Sequence, residues 1–419
     1  MKRLSYNTFI LLANNILSAT LAFALTVIIS RGLGDASFGR YATIMAWILP
    51  FTMLADGGLN TLITRNVAQT PDSAAYLLHM LLPIRLFISL TIVAVTWIVA
   101  PLLSDDTLIV SGVRIGIWLA VIDAFFGSYT AIFRAWEIVW PILLLNTLFF
   151  SLQIISAFWV IYSNADVVTL VYFIVLADFI QLFLTWLLWR LKMRYIYPSS
   201  TQATQQVWHI LLRQAYPFAI AGLLAMLNMR VMIFLLEHQL PAEVIGWYAV
   251  AFRLVEAARL APNAFFVALF PRLSALIKYP ASFRHVTYRA IFFISSYSIL
   301  VGIITSVTSG WVIPFVFGLE FQPSVRVLNM LIWVLLPSNG RALLTLQLYA
   351  YNRQQWVNAI LLMGLLVQLI VGYSLVQWYG LYGAPIAVII SEIVLVLCLG
   401  WALQHTAAQY QNMKKLMRR

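Results

Sequence analysis

Apolar residues form long uninterrupted runs along this chain, and short polar turns separate one run from the next. One α-helix needs about 20 predominantly apolar residues to cross the hydrocarbon core of a membrane. Turn-forming sequences such as RGLGDASFG, LLSDD, YSNAD and HQLPAE lie between the runs. The pattern therefore predicts a chain that crosses a membrane many times.

Twelve apolar runs can be distinguished, and we predict one spanning helix for each. Composition supports this class, because 63% of the 419 residues are hydrophobic and 10% are charged. No stretch is left over for a soluble domain. The predicted spans are residues 9–30, 38–62, 77–101, 108–132, 138–162, 167–189, 215–236, 244–270, 288–310, 324–349, 355–378 and 381–403.

The distribution of Lys and Arg predicts the orientation of the spans. Cytoplasmic loops of membrane proteins carry an excess of these residues. With both termini in the cytoplasm, the outer loops hold only Arg31, Arg40 and Arg326. The net charge of +12 is then largely a signal of topology, and we predict no nucleic-acid partner.

An internal repeat divides the chain at its longest polar segment, residues 190–208, with six predicted spans on either side. Six crossings return the chain to its starting side, so the halves would be parallel repeats. We therefore predict an all-α protein of two six-helix bundles around a central cavity, with residues 1–195 as the first bundle, 196–207 as a cytoplasmic linker and 208–419 as the second bundle. Packing and anchoring of similar helices would give the same matches. At an offset of 207 residues, the matching pairs are Gly39 with Gly246, Tyr41 with Tyr248, Ala42 with Ala249, Arg65 with Arg272 and Ala68 with Ala275.

The segment LGDASFGRYATIMAWILPFTMLADGGLNTLITRNVAQ, residues 33–69, resembles the opening of the Wzx-type polysaccharide or O-antigen flippases. These belong to the multidrug/oligosaccharidyl-lipid/polysaccharide exporter (MOP) superfamily. The segments GWYAVAFRLVE, LFPRLSAL and VFGLEFQPSVRVLNML extend the resemblance over most of the chain. The residues of the first segment that carry the resemblance are Gly39, Tyr41, Asp56, Gly57, Arg65 and Ala68.

The resemblance implies a multi-pass transporter of the bacterial inner membrane. Its implied substrate is an oligosaccharide linked to undecaprenyl pyrophosphate, such as an O-antigen unit of lipopolysaccharide, which moves to the periplasmic leaflet by alternating access. Membrane lipids and other polysaccharide-assembly proteins are the further partners it implies. Two alternatives stay open, namely a drug/cation antiporter of the same superfamily and a non-transporting scaffold of the glycan assembly machinery.

Charged residues inside the predicted spans are the candidate site residues. Each costs about 2.5 to 3.5 kcal/mol near a helix centre, so we expect it to face water or an opposite charge. We expect Asp178 and Glu392 to pair away from the cavity, which would leave the other helices net positive. The candidate substrate-binding arginines are Arg85, Arg114, Arg230, Arg253, Arg259 and Arg341. The candidate coupling carboxylates are Asp56, Asp123 and Glu256, which could equally be simple ion-pair partners.

The stretch AFRLVEAARLAP, residues 251–262, concentrates three of these charges. Arg253, Glu256 and Arg259 follow one another at intervals of three residues, which places them on one stripe of a helix. In one interpretation, the arginines bind the pyrophosphate of the substrate, for which a planar guanidinium is well suited. In the other, the three side chains neutralise one another and fix the packing of the helix.

Catalytic and metal-binding motifs are not recognisable in the sequence. No pair of histidines has the spacing of zinc ligands, and neither a GxxxxGK phosphate loop nor a nucleophile elbow is present. We therefore predict no enzyme activity, no cofactor and no metal.

Overall fold

All regular structure in the described part of the chain is helical. The computed structural model describes residues 2–191, 208–277 and 279–416. This confirms the prediction of an all-α protein, and the predicted linker 196–207 lies outside the described residues. The chain divides into two compact units, Met1–Met226 (unit 1) and Leu227–Arg419 (unit 2). The predicted domain limits, and a cavity between the bundles, stay predictions.

Unit 1 is built around α5, which contacts α1, α2, α3 and α7 and is buried along most of its length. A short 3-10 turn, Pro71–Ser73, joins α2 to α3. The helices of unit 1 are α1 (Lys2–Asp56), α2 (Leu59–Gln69), α3 (Ala74–Leu103), α4 (Thr107–Gly116), α5 (Leu119–Ala135), α6 (Trp140–Tyr162) and α7 (Val167–Leu191).

Unit 2 repeats this order. Its central helix is α13, which contacts α10, α11, α14 and α15. Helix α8 begins in unit 1 and ends in unit 2. The helices are α8 (Trp208–Gln239), α9 (Ala242–Ala258), α10 (Leu260–Leu276), α11 (Pro280–Phe317), α12 (Ser324–Leu331), α13 (Leu335–Ala350), α14 (Gln354–Tyr379) and α15 (Gly383–Leu416).

Nine stretches of the described chain are long and apolar enough to cross a membrane. Two of them, Phe9–Gln69 with 61 residues and Gln354–Thr406 with 53, are each long enough to cross twice. Gly34 and Gly380 interrupt these two stretches with positive φ values of 78° and 57°. Together with α8, which has 32 residues, the described helices agree with the twelve predicted spans.

Four predicted spans differ from the structure because each consists of two helices. The breaks lie between α1 and α2, α4 and α5, α9 and α10, and α12 and α13. Between α9 and α10 the cause is Pro262, which has no N–H to donate to the carbonyl of Ala258 four residues earlier. The hydroxyl of Tyr297 on α11 donates to that carbonyl instead, at 2.8 Å. Residue Arg259 therefore lies at a stabilised bend.

Candidate functional site

A completely buried arginine lies at the centre of unit 1. Arg85 on α3 donates hydrogen bonds to the Asp56 carboxylate at 3.3 Å, to the Asn60 side-chain oxygen at 3.0 Å and to the backbone carbonyl of Ala124. Its side chain is 0% exposed. Since these partners come from α1, α2 and α5, one guanidinium joins four helices of unit 1. We call Asp56, Asn60, Arg85, Asp123 and Asp178 the unit 1 cluster.

Two glycines explain how Asp56 and Asn60 reach Arg85. Gly57 and Gly58 have φ values of 55° and 73°, which glycine adopts without steric cost. They end α1 directly after Asp56 and allow α2 to begin at Leu59. The acidic-glycine pair of the sequence motif is thus a helix terminus that places a carboxylate beside Arg85.

A third glycine fixes Asn60 from the other side. A Cβ atom added at Gly127 on α5 would overlap with the side-chain amide of Asn60. Only a glycine at this position lets α2 and α5 approach so closely. Sequence reasoning did not identify Asn60, although its position three residues after the Gly57–Gly58 break was visible.

Carboxylates outnumber arginines in the unit 1 cluster. Asp123 is exposed on α5, although its neighbours Ile122 and Ala124 are buried. It interacts electrostatically with Asp56 and with Asp178 on α7. Asp178 is 2% exposed, and one of its oxygens has no hydrogen-bond partner among the described residues. Asp178 thus forms no ion pair within the described chain, contrary to the expectation that it pairs away from the cavity.

In unit 2, one carboxylate is shared by two arginines. Arg230 on α8 contacts one oxygen of Glu256 at 3.1 Å, and Arg253 contacts the other oxygen at 3.1 Å. The Arg230 guanidinium also lies 5.5 Å from the centre of the Phe252 ring. The Arg253 side chain is 33% exposed and that of Glu256 is 17% exposed. The expected pair between Arg253 and Glu256 is therefore formed, and Arg230 joins it from another helix.

A second ion pair of unit 2 joins α13 to α15. Arg341 contacts Glu392 at 2.6 Å, and both side chains keep part of their surface accessible. Glu392 therefore neutralises one of the candidate arginines rather than pairing elsewhere.

Arg259 has neither a side-chain hydrogen bond nor an ion pair among the described residues, and its Nε atom is buried without a partner. It interacts electrostatically with Glu392 and Arg341, and also with Glu256 and Tyr248. The guanidinium thus lies in electrostatic range of both ion-paired groups. We call Arg230, Arg253, Glu256, Arg259, Arg341 and Glu392 the unit 2 cluster.

Tyr248 is a member of this region that sequence reasoning did not assign to the site. The residue is completely buried, stacks on Phe252 with ring centres 6.0 Å apart, and has a hydroxyl without a partner among the described residues. It interacts electrostatically with Arg259, Arg230 and Glu256. Its signal in the sequence was the helical spacing of residues 248, 252, 256 and 259, which share one face of α9.

Arg114 lies apart from both clusters. Its guanidinium lies 5.2 Å from the centre of the Trp97 ring, and the Trp97 indole N–H donates to the Arg114 carbonyl at 2.9 Å. Trp97 is 47% exposed. An arginine on an exposed tryptophan is typical of a side chain anchored at the membrane interface. The structure therefore brings together four of the six candidate arginines, and leaves Arg85 and Arg114 in separate environments.

An ion pair also lies at the loop between α3 and α4. Arg40 contacts Asp106 at 2.7 Å, and Asp106 accepts a hydrogen bond from the backbone N–H of Leu108 at the start of α4. Partial burial alone would raise the pKa of Asp106. The hydrogen bonds from Arg40 and Leu108 and the charge of Arg40 outweigh it, so the pKa lies below its ordinary value.

Comparison with known proteins gives one family and one fold. The family model described as polysaccharide biosynthesis protein matches residues 4–277 of the chain. No curated protein sequence matches it.

Solved structures of MOP superfamily transporters share the fold. An inward-facing multidrug resistance MATE family transporter has a TM-score of 0.78 at 17% identity, over 94% of this chain and 96% of that one. The lipid II flippase MurJ, in an inward closed conformation, has a TM-score of 0.74 at 14% identity, over 94% and 87%. A transporter from Pyrococcus furiosus, described by a reverse polarity of its binding pocket, has a TM-score of 0.65 at 16% identity, over 97% and 95%. At these identities the likeness establishes the fold, including its many membrane-spanning helices.

Proposed function

Because the chain belongs to the polysaccharide biosynthesis protein family, we propose that it is a flippase for a lipid-linked oligosaccharide. The proposed substrate is carried on undecaprenyl pyrophosphate, as an O-antigen unit is. The proposed location is the bacterial inner membrane, with both termini in the cytoplasm. The relatives of known structure are described as transporters and a flippase, which agrees with the prediction of a transporter rather than an enzyme.

The observation that carries this proposal is the surplus of arginine in the unit 2 cluster. Four guanidinium groups face two carboxylates there, and Arg259 has no ion-pair partner among the described residues. A pyrophosphate offers several acceptor oxygens and more than one negative charge, which guanidinium groups bind in a bidentate way. Away from bulk water, this attraction is stronger than in solution.

In the proposed cycle, the unit 2 cluster holds the pyrophosphate while alternating access exposes it to one side of the membrane and then to the other. Arg259 is the first contact, because none of its donors has to leave another partner. Arg230, Arg253 and Arg341 add contacts as their carboxylates release them. Asp56 and Asp123 of the unit 1 cluster, and Glu256, remain the candidates for coupling to a proton or another cation.

Substitution of Arg259 tests the proposal. Purified protein in proteoliposomes would be supplied with a fluorescent undecaprenyl-pyrophosphate oligosaccharide, and translocation followed by protection from an impermeant quencher. Arg259→Gln should slow translocation by about tenfold or more, since a charged hydrogen bond contributes about 1.5–3 kcal/mol. Arg114→Gln is the matched control, because it removes an arginine that lies over Trp97.

Two results would contradict the proposal. One is translocation by Arg259→Gln at the rate of the unaltered protein. The other is the absence of any translocation by the unaltered protein, which is the result that a non-transporting scaffold would give.

A drug/cation antiporter is the second candidate, and the surplus of carboxylates in the unit 1 cluster favours it. Asp123 is exposed and Asp178 has an oxygen without a partner among the described residues, so this cluster could attract a cation. Binding of a cationic dye, with no binding of inorganic pyrophosphate, would support the antiporter. Binding of pyrophosphate that is lost in Arg259→Gln would support the flippase.

The proposed topology can be tested with single cysteines in a Cys398→Ser background. Asp72 lies in the turn between α2 and α3, and Asp105 lies in the loop between α3 and α4, and both are exposed. An impermeant thiol reagent applied to cells with a permeable outer membrane should label Asp105→Cys and spare Asp72→Cys. The opposite labelling would reverse the proposed orientation.

A further inference from the structure

Glu256 occupies donors that an anionic substrate would need. Its two oxygens accept from two different arginines, each at 3.1 Å, and the arginines come from two different helices. A carboxylate held between two guanidinium groups makes the same kind of contacts as one phosphate group of a substrate. Glu256 and a phosphate therefore compete for Arg230 and Arg253.

The neighbourhood of Glu256 also contains donors that it does not satisfy. The Nε atoms of Arg230 and Arg259 and the hydroxyl of Tyr248 are buried without a partner among the described residues. Glu256 interacts electrostatically with both Arg259 and Tyr248. An anion with a second charged group can therefore gain contacts here that the carboxylate does not make.

We propose that Glu256 is a specificity-determining residue that favours a pyrophosphate over a single phosphate group. This rests on the proposed function. A single phosphate has to displace Glu256 from Arg230 and Arg253, and it gains little beyond the contacts that it replaces. A pyrophosphate can use one phosphate group for that exchange and the other for Arg259. Specificity is a difference between two affinities, and a built-in competitor lowers the weaker one more.

A specificity of this kind separates the loaded carrier lipid from its recycled form. Both carry the same polyprenyl chain, but the loaded carrier presents two linked phosphate groups and a carrier monophosphate presents one. The discrimination therefore has to come from the charged head group, where Glu256 lies. Displacing the carboxylate also leaves a partly buried negative charge with less compensation, which the weaker ligand cannot offset.

The test is a comparison of two inorganic anions on the purified full-length protein in detergent. Titration calorimetry would give the dissociation constants of inorganic pyrophosphate and inorganic phosphate, and their ratio is the selectivity. In Glu256→Gln both anions should bind more tightly, and phosphate should gain more, so the selectivity should fall by about tenfold. Glu243→Gln is the matched control, because it removes a carboxylate from the first turn of the same helix and should leave the selectivity unchanged.

A second variant covers the case in which Glu256→Gln does not fold. Glu256→Asp keeps the charge, but its shorter side chain cannot span both arginines. It should therefore lower the selectivity by a smaller factor than Glu256→Gln. Size-exclusion chromatography would establish that each variant is folded.

The outcomes separate this inference from the proposed function. If pyrophosphate binds the unaltered protein and neither Glu256 variant changes the selectivity, Glu256 is no competitor and the inference is overturned alone. Weaker pyrophosphate binding in Glu256→Gln would likewise overturn it, because Glu256 would then position the arginines for the substrate. If pyrophosphate binds neither the unaltered protein nor a variant, the proposed function fails as well.

Discussion

The two units use arginine and carboxylate in opposite proportions. In unit 1, Arg85 is completely buried, donates to three partners from three helices, and lies among a surplus of carboxylates. In unit 2, arginines are in surplus, keep part of their surface accessible, and share their carboxylates. An arginine inside a membrane protein is thus not by itself evidence for a binding site. Its partners decide whether it joins helices or stays available.

The internal repeat makes this difference sharper. At the offset of 207 residues, the positions of Arg253, Glu256 and Arg259 correspond to Ala46, Leu49 and Thr52. The two units therefore repeat the order of helices but not the charged stripe. The architecture is duplicated, while the candidate chemistry belongs to one copy.

Substitution of Arg85 should have the largest effect on stability. Arg85→Ala removes the partner of Asp56 and leaves the oxygens of Asn60 and Ala124 unsatisfied, and breaking a buried pair costs about 3–5 kcal/mol. We expect the protein to disappear from the membrane fraction, as measured by immunoblot, while Arg114→Ala accumulates normally. A stable Arg85→Ala protein that has lost only transport would show that both units bind substrate.

Substitution of Arg253 should separate transport from folding. In Arg253→Ala, Glu256 still has Arg230 as a partner, so we expect transport to fall by about tenfold while the protein level is retained. The double variant Arg253→Ala with Glu256→Ala should remain defective, because a donor to the substrate is still missing. Full transport by the double variant in proteoliposomes, at a normal protein level, would mean that the pair only fixes the packing of α9.

Substitution of Asp178 probes the surplus of carboxylates in unit 1. An unsatisfied buried polar atom costs about 1–3 kcal/mol, and Asp178→Asn replaces the carboxylate by a neutral group of the same shape. We expect the melting temperature in detergent to stay the same or to rise, with transport retained. A stable Asp178→Asn protein without transport would instead assign the carboxylate a part in coupling.

The ion pair between Arg40 and Asp106 should give the smallest effect, because a partly exposed pair contributes less than about 1 kcal/mol. The pKa of Asp106 is lowered in the folded protein. Its stabilisation is therefore complete above the ordinary pKa of about 3.9 and is lost as the pH falls below that value.

The melting temperatures of the unaltered protein and of Asp106→Asn measure this contribution. They should differ slightly at pH 7 and converge towards about pH 3, below the ordinary pKa. A difference that grows on acidification would contradict the assigned sign.

The sequence predicted the helical fold because each span is a local pattern of apolar residues. It also predicted the pair Arg253–Glu256, since three residues separate the partners on one helix. The pairs Arg85–Asp56 and Arg341–Glu392 could not be predicted, because their partners lie on different helices and only tertiary packing brings them together. Several acids and arginines were equally eligible partners.

Helix breaks were predictable to different degrees. The Gly57–Gly58 break has a local cause in the sequence, and so does the bend before Pro262. The interruption between α4 and α5 at Ile117–Trp118, by contrast, has neither glycine nor proline within it, and its residues read as part of one apolar run. Its position depends on the helices packed around it.

The bend at Arg259 determines what kind of movement can carry this residue. Proline cannot supply the missing amide, so no conformational change can straighten α9 and α10 into one uninterrupted helix. The Tyr297 hydroxyl occupies the carbonyl that the proline leaves without its donor. In mechanical terms the junction is a permanent elbow latched by one phenol. Any displacement of Arg259 is then a swing of preformed rods about that elbow, with the latch on α11 limiting its amplitude.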